Sequence, residues 1–418
     1  MALPQQEDAD KSGILEDFLS DPGYLYFLIQ GDSEQVLQRL PDHAVDMCIT
    51  SPPYWGQRKY EGESALGNEP RWQEYVTHLM SIFRHLKRVL KPDGSFWLNI
   101  GDTYVKKNLM GIPWRVALAL QDDGWILRNA VVWDKMKGSP DNAKDKLRNV
   151  HEELFHFVLQ PTYYYDVDAI RNEPGKPYYR DGRIVTPTGV SGAKYEQQIR
   201  KSKVLSETEK EAALAALADT LRKVEAGELP DFRMVIRGTQ RSTHSDSTEY
   251  SGRASELKAK GFAILPYHKN GTKPGDIWHI IPEDQWRKDG HYAVFPLDLC
   301  ELPIKATCPV GGIVLDPFAG TGTALVEAVM LGRRGIGIDS SRSYLSEAEK
   351  RLARVCAEQR QRVLAQGGLF DDGTISAETE KHKMPSRVLR KARQPRKPRR
   401  VSSNLGGATL PIPFEDLR

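Results

Sequence analysis

Two short stretches of this chain hold residues whose types and spacing could do chemistry. The first is Thr50-Ser51-Pro52-Pro53-Tyr54-Trp55, which follows the apolar run Val45 to Ile49. Two consecutive prolines fix φ and remove two backbone donors, so the loop is stiff and its carbonyls are left to accept. The residue before a proline is pushed to an extended conformation, which lets the Ser51 carbonyl project outward. An amino group with two N–H donors could be gripped between the Ser51 side chain and a proline carbonyl. Held by both hydrogens, its nitrogen lone pair would be aimed at an electrophile. Tyr54 adds a flat face on which a planar ring can stack. The competing reading is a proline-rich turn with Tyr54 and Trp55 packed on the core, and the loop alone does not separate the two.

The second stretch is Asp316-Pro317-Phe318-Ala319-Gly320-Thr321-Gly322-Thr323, running from the apolar Ile313 to Leu315 into a helical pattern. Glycines at such a turn let the backbone approach a ligand closely. Asp339 ends the next apolar run, Gly335 to Ile338, 17 residues after Gly322. A carboxylate there can accept from both ribose hydroxyls of a nucleoside. The third glycine of a nicotinamide-dinucleotide fingerprint is absent, since Thr323-Ala324-Leu325 follows Gly322. Asp316 can lie beneath a bound ligand and meet a cation. An adenosyl cofactor with a charged amino-acid end suits this better than a dinucleotide.

The elements that must position these residues alternate between strands and helices. Tyr24 to Gln30, Val45 to Thr50, Ser95 to Ile100, Trp125 to Trp133 and Glu153 to Leu159 read as strands. Between them fall helices at Ser33 to Leu40, Arg71 to Leu90 and Ile112 to Leu120, the last with Pro113 in its first turn. Lys91-Pro92-Asp93-Gly94 is expected to stop the second helix. The rhythm resumes with a strand at Ile313 to Asp316, a helix at Thr323 to Met330, a strand at Gly335 to Ile338 and a helix at Tyr344 to Val355. Such alternation predicts an α/β fold with a largely parallel sheet.

Residues 171–275 break the rhythm and read as an insertion. They contain a helix at Ser206 to Ala226, capped by Ser206 and Glu209 and ended by Gly227, and an exposed loop at 238–255. They hold 19 Lys or Arg against 13 Asp or Glu. The expected organisation is an N-terminal extension (1–21), a first half-domain (22–170), the insertion (171–275), a second half-domain (276–358) and a tail (359–418). Residues 381–400 carry ten Lys or Arg and no acid, which reads as a disordered basic tail.

The chain has 418 residues and a formal net charge of +3, so any nucleic-acid surface must come from local clustering. Cys48, Cys300, Cys308 and Cys356 form no CxxC pair, so neither zinc nor a disulfide framework is expected. The first dozen residues lack a secretory layout and the apolar run Tyr24 to Ile29 is too short to span a bilayer, so cytoplasm is the expected location.

Taken together, the two motifs resemble those of the amino-methylating DNA methyltransferases, which modify N4 of cytosine or N6 of adenine. Ser51-Pro52-Pro53-Tyr54 looks like that family's catalytic tetrapeptide, and Asp316 to Thr323 like its cofactor loop. Their order, with the catalytic loop first, a long insertion second and the cofactor loop last, is that of the circularly permuted β class. Further stretches agree: Gly31-Asp32 resembles the element that touches the cofactor's adenine. Leu90 to Ser95 and Asn99 to Asp102 resemble the step after catalysis. His151-Glu152-Glu153-Leu154-Phe155 resembles the last strand before the recognition region. Gly275-Asp276-Ile277-Trp278 and His291 to Pro296 resemble the lead-in to the cofactor loop, with Phe295 near the methionine end.

The resemblance implies a Rossmann-like, circularly permuted S-adenosylmethionine-dependent methyltransferase sheet with an inserted target-recognition region. It implies S-adenosyl-L-methionine as cofactor, no metal, and double-stranded DNA as partner, the target base flipping out of the stack. It places Ser51, Pro52, Pro53 and Tyr54 in catalysis. Asp32, Phe295, Asp316, Pro317, Phe318, Ala319, Gly320, Thr321, Gly322, Thr323 and Asp339 fall to the cofactor. Ser before Pro-Pro tilts the target towards cytosine N4, with adenine N6 as the alternative. A non-catalytic DNA-binding regulator, and an RNA or protein acceptor, are the rivals of other classes. A carbon-5 mechanism is disfavoured, because Cys308 precedes Pro309 rather than following a proline and Cys48 lies in a strand. The resemblance allows a cognate restriction endonuclease, in a prokaryotic or phage setting.

Overall fold

A computed structural model describes residues 11–57, 66–136, 142–238, 252–282 and 296–365. The first half of the chain forms α1 (Lys11–Ser20), β1 (Tyr26–Gln30), α2 (Ser33–Arg39), β2 (Val45–Thr50), α3 (Trp72–Val89) and β3 (Leu90–Ile100). A small hairpin, β4 (Tyr104–Val105) and β5 (Asn108–Leu109), leads into α4 (Ile112–Asp122), β6 (Ile126–Asp134) and β7 (His151–Val158). The insertion holds β8 (Tyr178–Arg180), β9 (Arg183–Val185), α5 (Ala193–Lys201), α6 (Glu207–Glu225), β10 (Phe232–Ile236), α7 (Gly252–Lys260) and β11 (Phe262–Pro266). The chain then returns through β12 (Ile277–His279), α8 (Leu297–Thr307), β13 (Ile313–Asp316), α9 (Thr323–Met330), β14 (Arg334–Asp339) and α10 (Arg342–Ala365).

The apolar runs become strands because they are β-branched or aromatic and buried on both faces. All six residues of β2 and all four of β13 are buried. They belong to an eight-stranded sheet of order β1-β14-β13-β2-β3-β7-β6-β12. Every neighbouring pair is parallel except the two that involve β7, which runs antiparallel to β3 and β6. The expected largely parallel sheet is therefore present, with one reversed strand that hydrophobic patterning does not reveal.

The two faces carry separate cores. Tyr75, Leu79 and Phe83 of α3 pack with Phe96 and Leu98 of β3 and Leu315 of β13 on one face. Leu325, Ala328 and Val329 of α9 pack with Met47 and Ile49 of β2 and Val314 of β13 on the other. The alternation along each strand is the pleat at work, successive side chains pointing to opposite faces.

Three local expectations are amended. Lys91 to Gly94 does not sit between helix and strand: α3 ends at Val89 and β3 starts at once, the tetrapeptide being absorbed as a bulge between Val45↔Leu90 and Met47↔Ser95. A Cβ on Gly94 would meet the Asp46 carbonyl at 2.7 Å, so only glycine lets the bulge lie this close. The last helix runs on to Ala365 rather than fading near 355. The insertion's expected loop ends at Gly252, where α7 begins, while residues 239–251 and the basic segment 381–400 lie outside the described residues. The expected capping box is formed: the Ser206 side chain accepts from Glu209 N, and the Glu209 side chain accepts from Ser206 N. The insertion has its own small core around Ile199, Leu217 and Phe232. Among the described residues no helix is long and apolar enough to cross a membrane.

The segment expected to be a mere extension contributes to the main core. Phe18 of α1 is fully buried and stacks on Phe27 of β1 at 5.8 Å between ring centroids. Phe18→Ala should lower stability by about 3–5 kcal/mol, the usual cost of emptying a buried aromatic site. The midpoint of urea unfolding checks it, and an unshifted midpoint would show that α1 is dispensable.

Candidate active site

In a mostly parallel sheet, the loops after the strands gather at one edge. Here β2 leads through α3 to β3 on one side, whereas β13 leads through α9 to β14 on the other. The helices that follow these two adjacent strands cover opposite faces. Between their ends a crevice must open, the place where α/β sheets bind ligands. Register sets the two motifs across it: Val314 pairs with Met47 and Leu315 with Cys48, so Asp316 ends beside Thr50.

Thr50 Oγ1 donates to Asp316 Oδ1 at 2.5 Å, and the Phe318 amide donates to the same oxygen at 3.1 Å. Asp316 is 1% exposed, and its other oxygen, Oδ2, is buried with no partner among the described residues. Burial drives its carboxyl up to about 7, against the pull of Thr50 and the Phe318 amide. An orphaned buried carboxylate oxygen here is a ready acceptor for a cation.

The glycine-rich loop is shaped by its neighbours. Gly320 and Gly322 adopt left-handed φ of 51° and 76°, which side chains resist. The Gly320 amide donates to Asp339 Oδ2 at 2.8 Å and the Ser341 amide to Asp339 Oδ1 at 2.8 Å. Burial raises the Asp339 carboxyl above its ordinary value, with both amides opposing. The Ala319 amide donates to the Ile338 carbonyl, and the Pro317 carbonyl accepts from Ser33 Oγ at 2.5 Å. Asp32 caps α2 by accepting from the Gln35 amide, and the Gly31 amide donates to the Asp339 carbonyl, which brings the first strand's end to the same place. The Thr321 and Thr323 hydroxyls accept from Arg351 of α10, so these two side chains anchor the loop from behind. Phe295 lies outside the described residues.

Across the crevice, Ser51 Oγ donates to Tyr54 Oη at 3.0 Å. Tyr54 Oη in turn lies 2.9 Å from Glu152 Oε2 and 3.1 Å from Asn99 Oδ1. Burial and the Glu152 charge push the Tyr54 phenol well above its ordinary value, so it stays a neutral hydroxyl. The Pro53 carbonyl accepts from Tyr75 Oη at 2.8 Å, which ties the proline loop to α3. Trp55 is buried, its indole N–H donating to the Glu69 carbonyl, so it packs on the core. A Cβ on Gly101 would meet the Tyr54 ring at 2.6 Å, so glycine makes room for the tyrosine.

Glu152 and Asn99 were not singled out as site residues in the sequence, although both stand in the stretches that carry the resemblance. A polar residue at each end of an otherwise apolar strand was the available signal. What hid Glu152 was the direction of β7: running antiparallel, it delivers its first residues to the edge where the other strands deliver their last. Burial raises the thiols of Cys48, Cys300 and Cys308, so none of the three is a ready thiolate nucleophile.

Residues 45–350 match the family model N6_N4_Mtase, described as DNA methylase. The type II methyltransferase M.SfiI of Streptomyces fimbriatus is 30% identical over 418 residues, covering 85% of this chain and 93% of the relative. M.SmaI of Serratia marcescens is 27% identical over 356 residues, covering 78% and 90%. Among solved structures, a PvuII DNA methyltransferase titled cytosine-N4-specific aligns at 17% identity and a TM-score of 0.49, covering 82% of this chain and 93% of that one.

The raised Asp316 carboxyl makes stability depend on pH with a definite sign. Between about pH 4 and 7 the folded chain keeps a proton that the unfolded chain gives up, so stability falls as pH rises through that window and levels off above it. Asp316→Asn should remove this slope. Melting temperatures of the two proteins should draw apart in favour of the variant from pH 5 to pH 8, and parallel curves would show that the buried carboxyl ionises normally.

Proposed function

Since the chain belongs to the DNA methylase family, whose model spans residues 45–350, we propose that it moves the methyl group of S-adenosylmethionine to the exocyclic N4 of a cytosine in double-stranded DNA. The observation that carries this reading is the Thr50–Asp316 hydrogen bond, which sets the Ser51-Pro52-Pro53-Tyr54 loop against the glycine-rich loop. An acceptor for an amine and an acceptor for a cation then face one crevice. Ser51 before Pro-Pro supports cytosine over adenine, on the resemblance drawn from the sequence.

The residues present fit the cofactor. Among the described residues Asp316 Oδ2 is buried with no partner, which suits the charged amino-acid end. Asp339 keeps lone pairs for ribose hydroxyls after accepting two amides, and Asp32 stands beside it for the adenine end. When bound, the cofactor supplies a methyl group on positively charged sulfur. The chain's own work is to grip the amine. Ser51 Oγ has its proton on Tyr54, so it meets the amine with lone pairs alone, and the Pro52 carbonyl takes the second N–H. Juxtaposing two bound reactants is worth at most about 7–11 kcal/mol. Flipping the base out costs a few kcal/mol, which stacking on the Tyr54 face, about 1–3 kcal/mol, offsets in part. Phosphate contacts from the insertion supply the rest. Kinship with type II methyltransferases supports a place in a restriction-modification system.

Ser51→Ala should cut methyl transfer about 100-fold while leaving cofactor affinity unchanged, because only the amine's grip is lost. Asp339→Ala should weaken cofactor binding about 10–100-fold, the worth of hydrogen bonds to a charged group. Calorimetric titration with S-adenosylmethionine and tritium transfer to DNA read the two effects, and equal loss of cofactor affinity in both variants would overturn the division of roles. Digestion of the methylated DNA to deoxynucleosides, with mass spectrometry, decides the base: N6-methyldeoxyadenosine would overturn cytosine, and no incorporation would favour a DNA-binding regulator.

A further inference from the structure

The Ser51 hydroxyl stands at the head of a hydrogen-bonded row that leads away from the crevice. Ser51 Oγ meets Tyr54 Oη at 3.0 Å, and Tyr54 Oη meets Glu152 Oε2 at 2.9 Å. Asn99 Nδ2 donates to the same Glu152 oxygen at 3.2 Å and to the Glu153 carbonyl at 3.1 Å. Lys135, next after β6, forms an ion pair with Glu152 Oε1. Lys135 is itself held over the Trp133 ring, 4.8 Å from its centroid, and Trp133 is the β6 residue opposite Glu152.

The direction of every bond in the row is set from its far end. An ionised carboxylate only accepts. Tyr54 has one proton, and Glu152 Oε2 and Asn99 Oδ1 among the described residues both lie within reach to accept it. The charged one wins, because hydrogen bonds to an ionised group are about twice as strong as neutral ones. With its proton spent on Glu152, Tyr54 Oη must accept from Ser51. Ser51 then has no proton to offer the crevice and can only accept there.

This matters because attack by an exocyclic amine leaves a proton to dispose of. The amine lone pair forms the N–C bond as the C–S bond of the sulfonium donor breaks, its electron pair staying on sulfur. The nitrogen is then positively charged and must shed one N–H proton. We propose that Glu152 is the positioning residue at the end of this row: through Tyr54 it turns Ser51 into an acceptor for the target amine, and it takes up the proton the amine sheds. The proton on nitrogen passes to Ser51 Oγ as the Ser51 proton passes to Tyr54 Oη and the Tyr54 proton to Glu152 Oε2. Serine and tyrosine end neutral, the methylated amine ends neutral, and Glu152 ends protonated beside Lys135. A phenol kept neutral, as the burial of Tyr54 and the Glu152 charge keep it, is what such a hop needs.

The inference rests on the amine-methylating reading above, and the experiment separates the two. Glu152→Gln keeps volume and an acceptor oxygen but removes the charge, and Tyr54→Phe keeps the ring but breaks the row. Single-turnover methylation of DNA at saturating cofactor should slow about 100-fold in either variant, the scale of general acid–base assistance. Cofactor and DNA affinities should stay at the wild-type value, so the loss falls on the chemical step and not on KM. Glu152→Gln/Tyr54→Phe together should be no slower than either alone, because both interrupt one row. The wild-type rate should fall in heavy water, and the Glu152→Gln rate should fall less. Wild-type speed in Glu152→Gln or in Tyr54→Phe, or losses that multiply in the double variant, would overturn the row while leaving the methyltransferase intact. A wild-type protein that methylates no amino nitrogen would overturn both.

Discussion

The buried hydrogen bond from Thr50 to Asp316 is the constraint on which the rest of the site depends. It joins residues 266 positions apart, and it exists because β2 and β13 are immediate parallel neighbours. A carboxyl group so far from water is costly to ionise, and among the described residues it is half-satisfied: one oxygen accepts twice, the other not at all. Such a group is a stored electrostatic demand that a cation at the crevice would meet. The glycine-rich loop bends round this point, tied by Asp339 on one side and by Ser33 on the other.

The position of β2 beside β13 also explains how the chain tolerates an unusual order of parts. The proline loop after β2 comes early and the glycine-rich loop after β13 late, yet the sheet places them side by side with their following helices on opposite faces. The insertion leaves after β7 and returns through β12, at the far end of the sheet from β1 and β14. Its described residues gather a small core of their own around Ile199, Leu217 and Phe232.

The reversed strand β7 supplies what the parallel strands lack. Six-residue runs such as β2 end at the crevice in a single loop, but β7 begins there, so its first residues, His151 to Glu153, arrive as side chains fixed in a ladder. Glu152 is thereby rigid and opposite Trp133, not carried on a loop. Tyr54, which the sequence suggested mainly as a stacking face, is through its hydroxyl also the link between Ser51 and that carboxylate.

Much of this was legible before any coordinates. The strands β2 and β13, the helices α3 and α9, the capping box at Ser206 and the two motifs all follow from local rules: apolar periodicity, proline stiffness, glycine at a tight turn. These are properties of neighbours in the chain, and periodicity reads neighbours well. Strand direction and strand order are not such properties. That β7 runs backwards, that Lys91 to Gly94 folds into a bulge, and that Phe18 belongs to the core depend on pairings between distant segments. The sequence by itself therefore determined where the stiff proline loop and the glycine-rich turn fall, each at the end of a buried strand. Only the tertiary structure decided that Asp316 would be buried against Thr50, and that Glu152 would stand behind Tyr54. Burial and hydrogen-bond partners arise from what the whole sheet brings together.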